Sequence, residues 1–284
     1  PCGFVRNEPI IILKVQMRIA GKIMLFDIWL TLLPYIGPVK ARYLLKQFGN
    51  AKTVYNVEPA EIEEMRGLSL RQKKSLIENK SLNKAEQILQ NCRKYNISVL
   101  TIENPLYPDR AKMIKDAPTV IYYKGTIKKM EKTVGIVGAR RCSQQDKRKA
   151  VKIAEYYTEK QNAIISGMAK GIDSYVQTAC LKLGGYTVAV LGNGLDICYP
   201  EEHRLLMKRI EEKGLLISEY PPGTLPAKYN FPRRNRLISA WSDELVVISP
   251  GKGSGSLITA KYSENYGRKV KIIVQSEVAR DFTT

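Results

Sequence analysis

The chain has few of the residues from which metal sites and disulfide frameworks are built. Among its 284 residues there is one histidine, His203, and there are five cysteines with no Cys-x-x-Cys pair. Zinc sites need clustered cysteine and histidine ligands, and disulfide-rich folds need an even set of cysteines. We therefore expect no metal, no cofactor of that kind and no structural disulfide, and reduced thiols of the sort found in the cytoplasm.

Long apolar runs are also missing from the sequence. The amino-terminal stretch is rich in apolar residues, but Lys14, Arg18, Lys22 and Asp27 interrupt it, and the uncharged run 28–39 contains proline and glycine. A membrane-spanning helix needs about 20 consecutive apolar residues. The sequence therefore predicts a cytoplasmic protein with no membrane attachment.

Acidic residues are scarce relative to basic ones. Lys and Arg number 46 against 27 Asp and Glu, which gives a formal net charge of +19. This excess is larger than solubility alone requires, and it predicts a polyanionic partner, with nucleic acid ahead of an acidic membrane surface. Because we find no lipidation signal and no strongly amphipathic basic helix, nucleic acid is the favoured partner.

Hydrophobic periodicity divides the chain into two parts. In residues 1–95 the apolar residues recur at helical spacing around short breaks, which predicts a small all-helical domain. In residues 96–284 short β-branched runs alternate with helical segments. That alternation is typical of a parallel sheet with helices on both faces, so the predicted fold class is α/β with a helical domain in front.

Four loops that follow predicted strands are rich in glycine, hydroxyls or cations. They are GARRCS from Gly138, GMAKGIDS from Gly167, GNGLDICYP from Gly192 and PGKGSGSLITA from Pro250. Because the carboxyl ends of parallel strands meet at one edge of a sheet, we expect these loops to form a single phosphate-binding rim. Neither the dinucleotide fingerprint nor a Walker motif is present in them, so no bound NAD or ATP is expected.

A fifth segment, KYNFPRRNR at residues 228–236, holds four cations and aromatic rings without an acid. It lies between two predicted strands and should approach the same rim. Lys228 and the arginines can contact phosphates, while Phe231, or Tyr229, offers a ring for base stacking, a combination typical of single-stranded nucleic acid binding. The alternative places Phe231 in the core and pairs one or two of the arginines with nearby acids.

Taken in order, these segments resemble the DprA/Smf family of DNA-processing proteins. The resemblance covers roughly residues 105–268 and is carried by GIVGARRCS, ISGMAKGIDSYVQTACL, TVAVLGNGLDICYPEEHRLL, GLLISEYPPGTLPAKYNFPRRNRLISAWSDELVVI and GSGSLITA. It implies an extended Rossmann-like domain that binds single-stranded DNA without hydrolysing nucleotides. It also implies a homodimer that protects DNA and loads a RecA-type recombinase during natural transformation and recombination.

Specific DNA-contacting positions follow from the rim and from the resemblance. The resemblance implies contacts from Arg140, Lys228 and Phe231. The full predicted set is Arg140, Ser143, Gly167, Lys170, Gly171, Lys228, Phe231, Arg233, Arg234, Asn235, Arg236, Ser254, Gly255 and Ser256.

The resemblance extends to both ends of the chain. The amino-terminal helices are similar to sterile-alpha-motif or helix-hairpin-helix domains, and LPYIGPVKARYLLKQFG resembles one such hairpin. Since Tyr35 stands where that hairpin usually has glycine, we expect helix packing or protein contact there rather than a DNA site. We expect no carboxy-terminal winged-helix domain, either because this form lacks one or because the sequence is truncated.

Two other functions stay open. The related lysine decarboxylase-like phosphoribohydrolases carry a catalytic glutamate where PGKGSGSLITA has Thr259, and without that carboxylate the general acid/base of N-glycosidic cleavage is missing. Asp173 and Glu219 are other possible acids, although Asp173 stands at a predicted helix start that it should stabilise. The second alternative is a small-nucleotide carrier, which needs a closed pocket instead of an open groove. Our main prediction is a binding protein and not an enzyme.

Overall fold

The computed structural model describes residues 24–274. Residues 1–23 and 275–284 lie outside the described residues. With them lie Cys2, the first part of the apolar amino-terminal stretch that we interpret as helical, and the end of the chain.

The described part of the first unit is helical. The chain divides into two compact units, residues 1–90 and residues 91–284. The helices of the first are α1 (residues 24–32), α2 (Pro38–Phe48), α3 (Ala51–Asn56), α4 (Pro59–Glu64) and α5 (Leu70–Glu78), and α6 (Asn83–Lys94) begins in it. The predicted amino-terminal helical region is confirmed. We propose that the boundary between the two domains lies between residues 95 and 96.

Caps and buried apolar residues explain these helices. Asn50 caps α3 because its side chain accepts a hydrogen bond from the Thr53 N–H. Ser69 and Gln72 form a capping box at the start of α5. The largest fully buried side chains of the unit are Trp29, Ile28, Leu30, Leu44, Ile62 and Leu76. The helices therefore enclose a core of their own.

Residues 91–274 form an eight-stranded sheet. Its strands are β1 (Ser98–Thr101), β2 (Val120–Gly125), β3 (Thr133–Gly138), β4 (Ala163–Ser166), β5 (Thr187–Leu191), β6 (Leu215–Ser218), β7 (Glu244–Ile248) and β8 (Lys269–Ile273). The spatial order is β1-β2-β6-β5-β4-β3-β7-β8. The six strands from β6 to β8 are parallel, and β1 and β2 add an antiparallel edge. The predicted α/β class with a mixed, mainly parallel sheet is confirmed.

Helices cover both faces of this sheet. They are α7 (Asp109–Lys112), α8 (Gln144–Glu159), α9 (Ile172–Lys182), α10 (Arg204–Lys213), α11 (Asn230–Ala240) and α12 (Gly255–Asn265). Helices α8, α9 and α10 pack side by side, and α11 packs on α12. Strands β3, β4, β5 and β6 follow one another in one direction across the sheet. The chain then crosses back to place β7 and β8 on the other side of β3. Because such crossovers are right-handed, the two groups of helices lie on opposite faces.

Burial explains why the strands are apolar along their whole length. Every residue of β4, β5 and β6 is buried, as parallel strands between two helical layers require. Val134 and Ile136 of β3 pack with Ile153 of α8 and with Ile172 and Val176 of α9 in one core cluster. The direction of the strand order reverses beside β3, which is where open sheets of this type form a crevice at the carboxyl ends of their strands.

Two kinds of feature are missing from the part of the chain that the structure describes. Across residues 24–274, no helix is both long enough and apolar enough to cross a bilayer. Over the same residues, no group of three or more His, Cys, Asp or Glu side chains is placed to hold a metal ion.

Candidate nucleic-acid interface

Two adjoining cavities open at the carboxyl ends of the parallel strands. The first, which we call the aromatic pocket, is lined by residues that include Arg140, Lys170, Gly192, Tyr199, Phe231 and Arg234. The second, which we call the serine pocket, is lined by residues that include Gly138, Arg140, Arg141, Asn235, Ser254 and Ser256. Arg140 and Arg234 line both cavities, so the two cavities together form one rim.

The aromatic pocket combines two rings with a cation. Phe231 is half-buried, and its ring stacks on that of Tyr199 with centroids 5.4 Å apart and an interplanar angle of 26°. The guanidinium carbon of Arg140 lies 5.8 Å from the Phe231 centroid. Tyr199 keeps 46% of its surface exposed. An aromatic face beside an arginine is a favourable environment for a base and its phosphate.

A glycine sets the position of the Phe231 ring. A Cβ at Gly192, in the loop after β5, would lie 2.9 Å from Cδ1 of Phe231. Any side chain there would push the ring away from the end of the strand. The glycine therefore permits the contact between the loop after β5 and the start of α11.

Tyr199 was not among the residues predicted from the sequence. It belongs to GNGLDICYP, a segment already assigned to the rim, so an aromatic residue in a rim loop was the available signal. What the sequence does not show is that the loop after β5 reaches the start of α11, where Phe231 lies.

The loop that carries Arg140 is held by its neighbours. The Ile172 N–H donates to the Ala139 carbonyl over 3.1 Å. Gly171 has a φ of +81°, and a Cβ there would collide with the carbonyl oxygens of Ala139 and Arg140. Glycine at position 171 therefore serves the close approach of two loops, and it leaves the Arg140 side chain exposed at the rim.

Ser143 caps the helix that follows this loop. Its hydroxyl accepts a hydrogen bond from the Asp146 N–H over 3.1 Å, and the Asp146 carboxylate accepts from the Ser143 N–H over 3.0 Å. The Ser143 hydroxyl also donates to the Asp146 carboxylate over 2.7 Å. The hydroxyl is thus engaged in the cap of α8, and Ser143 is not among the residues that line the aromatic pocket or the serine pocket.

Arg234 lies beneath the two cavities. Only 4% of its surface is exposed, and its guanidinium donates to the carbonyls of Gly167 and Val190 and to the side chain of Asn235. Burial lowers the pKa of Arg234 to about 10, with the charge of Asp173 opposing that shift. Three hydrogen bonds from Nε and Nη1 are made within the protein, so Arg234 holds the ends of β4 and β5 in place and has little surface to offer a ligand.

Asp173 supports the loop from Gly167 to Gly171 from below. Its carboxylate accepts hydrogen bonds from the N–H groups of Gly167, over 3.1 Å, and Ala169, over 3.4 Å. Burial raises the pKa of this carboxyl group, and the nearby Arg234 opposes the rise. A Cβ at Gly167 would lie 2.7 Å from Nη2 of Arg234. Glycine at position 167 therefore leaves the space that the side chains of Arg234 and Asp173 occupy beneath the rim.

Arg236 does not reach the rim. Its surface is 3% exposed, and its guanidinium pairs with the carboxylates of Asp116, over 3.4 Å, and Glu219. Successive residues of a helix are 100° apart, so Arg233, Arg234 and Arg236 of α11 point in three directions. The alternative, in which some of the arginines pair with acids, describes Arg236.

The remaining predicted cations are exposed. Arg233 has 55% of its side chain exposed and lies 3.6 Å from Glu219. Lys170 forms an exposed ion pair with Glu202 over 2.6 Å. Lys228 is exposed, three residues before Phe231, and its side chain has no ionic or hydrogen-bonding partner within residues 24–274. Among these three, Lys228 is the cation most available to a phosphate.

The serine pocket is built around the start of α12. The hydroxyls of Ser254 and Ser256 lie 2.8 Å apart, and the Asn235 side chain donates to the Gly255 carbonyl over 3.0 Å. Ser254 stands at the N-cap position, but its side chain makes no capping hydrogen bond. Within residues 24–274 the Leu257 N–H donates to the Ser254 carbonyl over 3.0 Å, which leaves the N–H groups of Gly255 and Ser256 for another acceptor. A phosphate oxygen is a suitable one.

Comparison with known proteins gives close relatives. The family model described as DNA recombination-mediator protein A matches residues 98–282. Protein Smf of Synechocystis sp. is 35% identical over 83% of this chain and 60% of its own length. DNA processing protein DprA of Streptococcus pneumoniae is 39% identical over 60% of each chain. The chain spans about 60% of the length of these two curated relatives.

Two solved structures are similar in fold. DNA processing protein A of Streptococcus pneumoniae superposes with a TM-score of 0.75 at 29% identity, covering 90% of this chain and 87% of that one. DNA processing protein A of Helicobacter pylori superposes with a TM-score of 0.58 at 29% identity, covering 64% and 82%. The second structure concerns the single-stranded DNA binding mode of that protein.

Proposed function

Because this chain belongs to the DNA recombination-mediator protein A family, we propose that it binds single-stranded DNA along the rim of its sheet and protects it. Its relatives are DNA-processing proteins, and one structural neighbour was studied for its single-stranded DNA binding. The proposed contacts are those of the exposed rim residues, with Arg140, Lys228 and Phe231 at their centre and Tyr199 added to them.

The observation that carries the proposal is the aromatic pocket. Arg140 and Tyr199 come from two loops and Phe231 from the start of α11, three places that are distant in sequence, and they meet at a single place open to solvent. A base stacked on such a ring contributes about 1–3 kcal/mol, and any base can do so. The site therefore favours unpaired bases and has no requirement for a particular sequence.

Arg140 connects the aromatic pocket with the serine pocket. A strand whose base stacks beside Phe231 can place the neighbouring phosphate on Arg140 and a further phosphate at the serine pocket, against the N–H groups of α12 and the Ser254 hydroxyl. Lys228, with no partner within residues 24–274, supplies another phosphate contact. The contacts are with ring faces and phosphates, which both occur along the whole strand.

The family resemblance also bears on how the protein assembles and on where its DNA goes. We propose that the protein is a cytoplasmic homodimer and that it passes its DNA to a RecA-type recombinase during DNA uptake and recombination. These parts rest on the family resemblance. Adding the protein to recombinase and to DNA coated with single-strand-binding protein should shorten the delay before recombinase filaments form. An unchanged delay would contradict the loading role alone.

The side chains that could act as general acid or base in a phosphoribohydrolase reaction are replaced or already engaged by the protein. Thr259 is fully buried and its hydroxyl donates to the Gly255 carbonyl over 3.2 Å, at the position where those enzymes carry glutamate. The Asp173 carboxylate is occupied by two backbone N–H groups, and Glu219 is buried against Arg236. We therefore propose a binding protein that does not cleave nucleotides.

Titration with labelled oligonucleotides tests this function. We expect single strands to bind more tightly than duplexes, and the log-affinity to fall with log-salt by about 0.7 per phosphate neutralised. Arg140→Ala should weaken binding, whereas Lys208→Ala, an exposed cation of α10 away from both cavities, should not. An affinity that stops rising beyond a mononucleotide would instead support the nucleotide-carrier alternative.

A further inference from the structure

A basic groove lies on the outer surface of the second unit, between α8 and α9. The groove, which we call the α8–α9 groove, is lined by residues that include Gln144, Lys147, Arg148, Lys152, Glu155 and Tyr175. The six residues that α8 contributes, Val151 among them, fall on one stripe of that helix, because residues three and four apart share a face. Three of these side chains are cationic and one is acidic, so the groove carries a net positive charge.

The cations of the groove are available to an anion. Arg148 and Lys152 are exposed, and neither side chain has a hydrogen-bonding or ionic partner among residues 24–274. The ammonium of Lys147 lies 5.3 Å from the ring centroid of Tyr175. Tyr175 is half-buried and packs against the core cluster, so it gives Lys147 a fixed support. The groove therefore presents a row of cations held on a rigid surface.

The groove continues the rim. Helix α8 follows β3 and α9 follows β4, so both helices begin at the edge of the sheet where the two pockets open. Arg141 lines the serine pocket and Gln144 begins the groove, three residues later, a distance of at most about 11 Å of extended chain. From Gln144 to Glu155 the helix then runs about 16 Å away from the rim.

We propose that the α8–α9 groove binds the sugar-phosphate backbone of the same DNA strand after it leaves the serine pocket at Arg141. This inference rests on the proposed function and deepens it, since it lengthens the stretch of strand that one chain covers. Lys147, Arg148 and Lys152 neutralise phosphates on this path. Stacking of bases stays confined to the aromatic pocket, so the groove adds affinity that depends on strand length and on salt.

The test compares a double variant with a matched control at two oligonucleotide lengths. Arg148→Ala/Lys152→Ala removes two exposed cations of the groove, and Lys208→Ala/Arg209→Ala removes an exposed lysine and arginine from α10. Oligothymidylates of about 4 and about 16 nucleotides bracket the site sizes of single-strand-binding modules. Affinity is measured by fluorescence anisotropy at several salt concentrations, and the melting temperature of each variant confirms that it is folded.

The inference predicts a selective loss on the longer strand. The groove variant should bind the longer oligonucleotide about fivefold to tenfold more weakly, with a salt slope smaller by about 1.4 for the two lost phosphate contacts. Its affinity for the short oligonucleotide should match that of the control.

Three results would overturn the inference. Equal affinities of the groove variant and the control for the longer strand would leave the groove to another partner, such as an acidic protein surface. Equal losses on both lengths would place the two cations in the rim itself. If the wild-type chain bound neither oligonucleotide, the proposed function would fail and this inference with it.

Discussion

The outer and inner sides of the rim use the same residue types for opposite purposes. On the outer side, Arg140 is exposed beside the Phe231 ring, and Lys228 is exposed three residues before Phe231. Beneath the rim, which we call the inner side, Arg234 and Arg236 are buried, and their guanidinium groups are bonded to carbonyl and carboxylate oxygens. An arginine whose donors are satisfied by the protein supports the loops, and one whose donors are free can hold a phosphate. The number of cations in a sequence is therefore not the number of DNA contacts.

The largest effect is expected on the inner side. Arg236→Ala would leave Glu219 buried without its main partner, at a cost of about 3–5 kcal/mol in the free energy of unfolding. Urea unfolding followed by circular dichroism measures the loss. Arg233→Ala, which removes an exposed arginine near the same acid, is the control and should change the unfolding free energy by less than about 0.5 kcal/mol. Equal stabilities of the two variants would contradict the division into inner and outer cations.

The aromatic pocket should show the next largest effect. Phe231→Ala removes the stacking face and should weaken oligonucleotide binding by about 1–3 kcal/mol. Tyr229→Ala, on a ring that is 78% exposed and outside the lining of both pockets, is the control. Anisotropy titrations with oligothymidylate measure both. If Tyr229→Ala caused the greater loss, the base would stack on Tyr229, which is the alternative that the sequence left open.

A glycine gives a test of ring position that leaves every charge in place. Gly192→Ala would bring a Cβ against Phe231 and displace its ring, so binding should weaken by less than in Phe231→Ala while the salt slope is unchanged. The control is Gly37→Ala, because the space around Gly37 is open and its φ of −81° suits any residue. Gly37→Ala should therefore bind DNA like the wild type.

The smallest effect is a gain. Lys170 is paired with Glu202, so Glu202→Gln should release that cation to the strand and tighten binding by about twofold at low salt. Glu212→Gln on α10 removes an exposed acid away from the two pockets and serves as the control. A weaker affinity of Glu202→Gln would mean that the ion pair positions Lys170 for binding instead of competing with it.

The sheet and its rim loops were predictable from the sequence because they depend on local patterns. Buried β-branched runs such as β4 and β5 have a period that differs from that of the helices between them. The glycines and hydroxyls that follow the strands mark the loops. Arg140 and Phe231 could be placed at the rim for the same reason, since each lies in a segment after a strand that the strand pattern brings to one edge.

The residues that sequence reasoning misplaced or missed depend on distant partners. Arg236 is buried because Asp116, 120 positions away, and Glu219 lie where its direction on α11 takes it. Tyr199 joins the aromatic pocket because the loop after β5 meets the start of α11. Helix phase and loop contacts of this kind are fixed by the packed structure, and the composition of a segment does not reveal them.

A double-mutant cycle of Arg140→Ala and Phe231→Ala, measured on single-stranded oligothymidylate, tests the central claim most directly. If one strand contacts both side chains in a single pocket, the two losses should be non-additive by about 0.5–3 kcal/mol, as for residues in contact with a shared partner. Additive losses, or an affinity that neither substitution changes, would contradict the account.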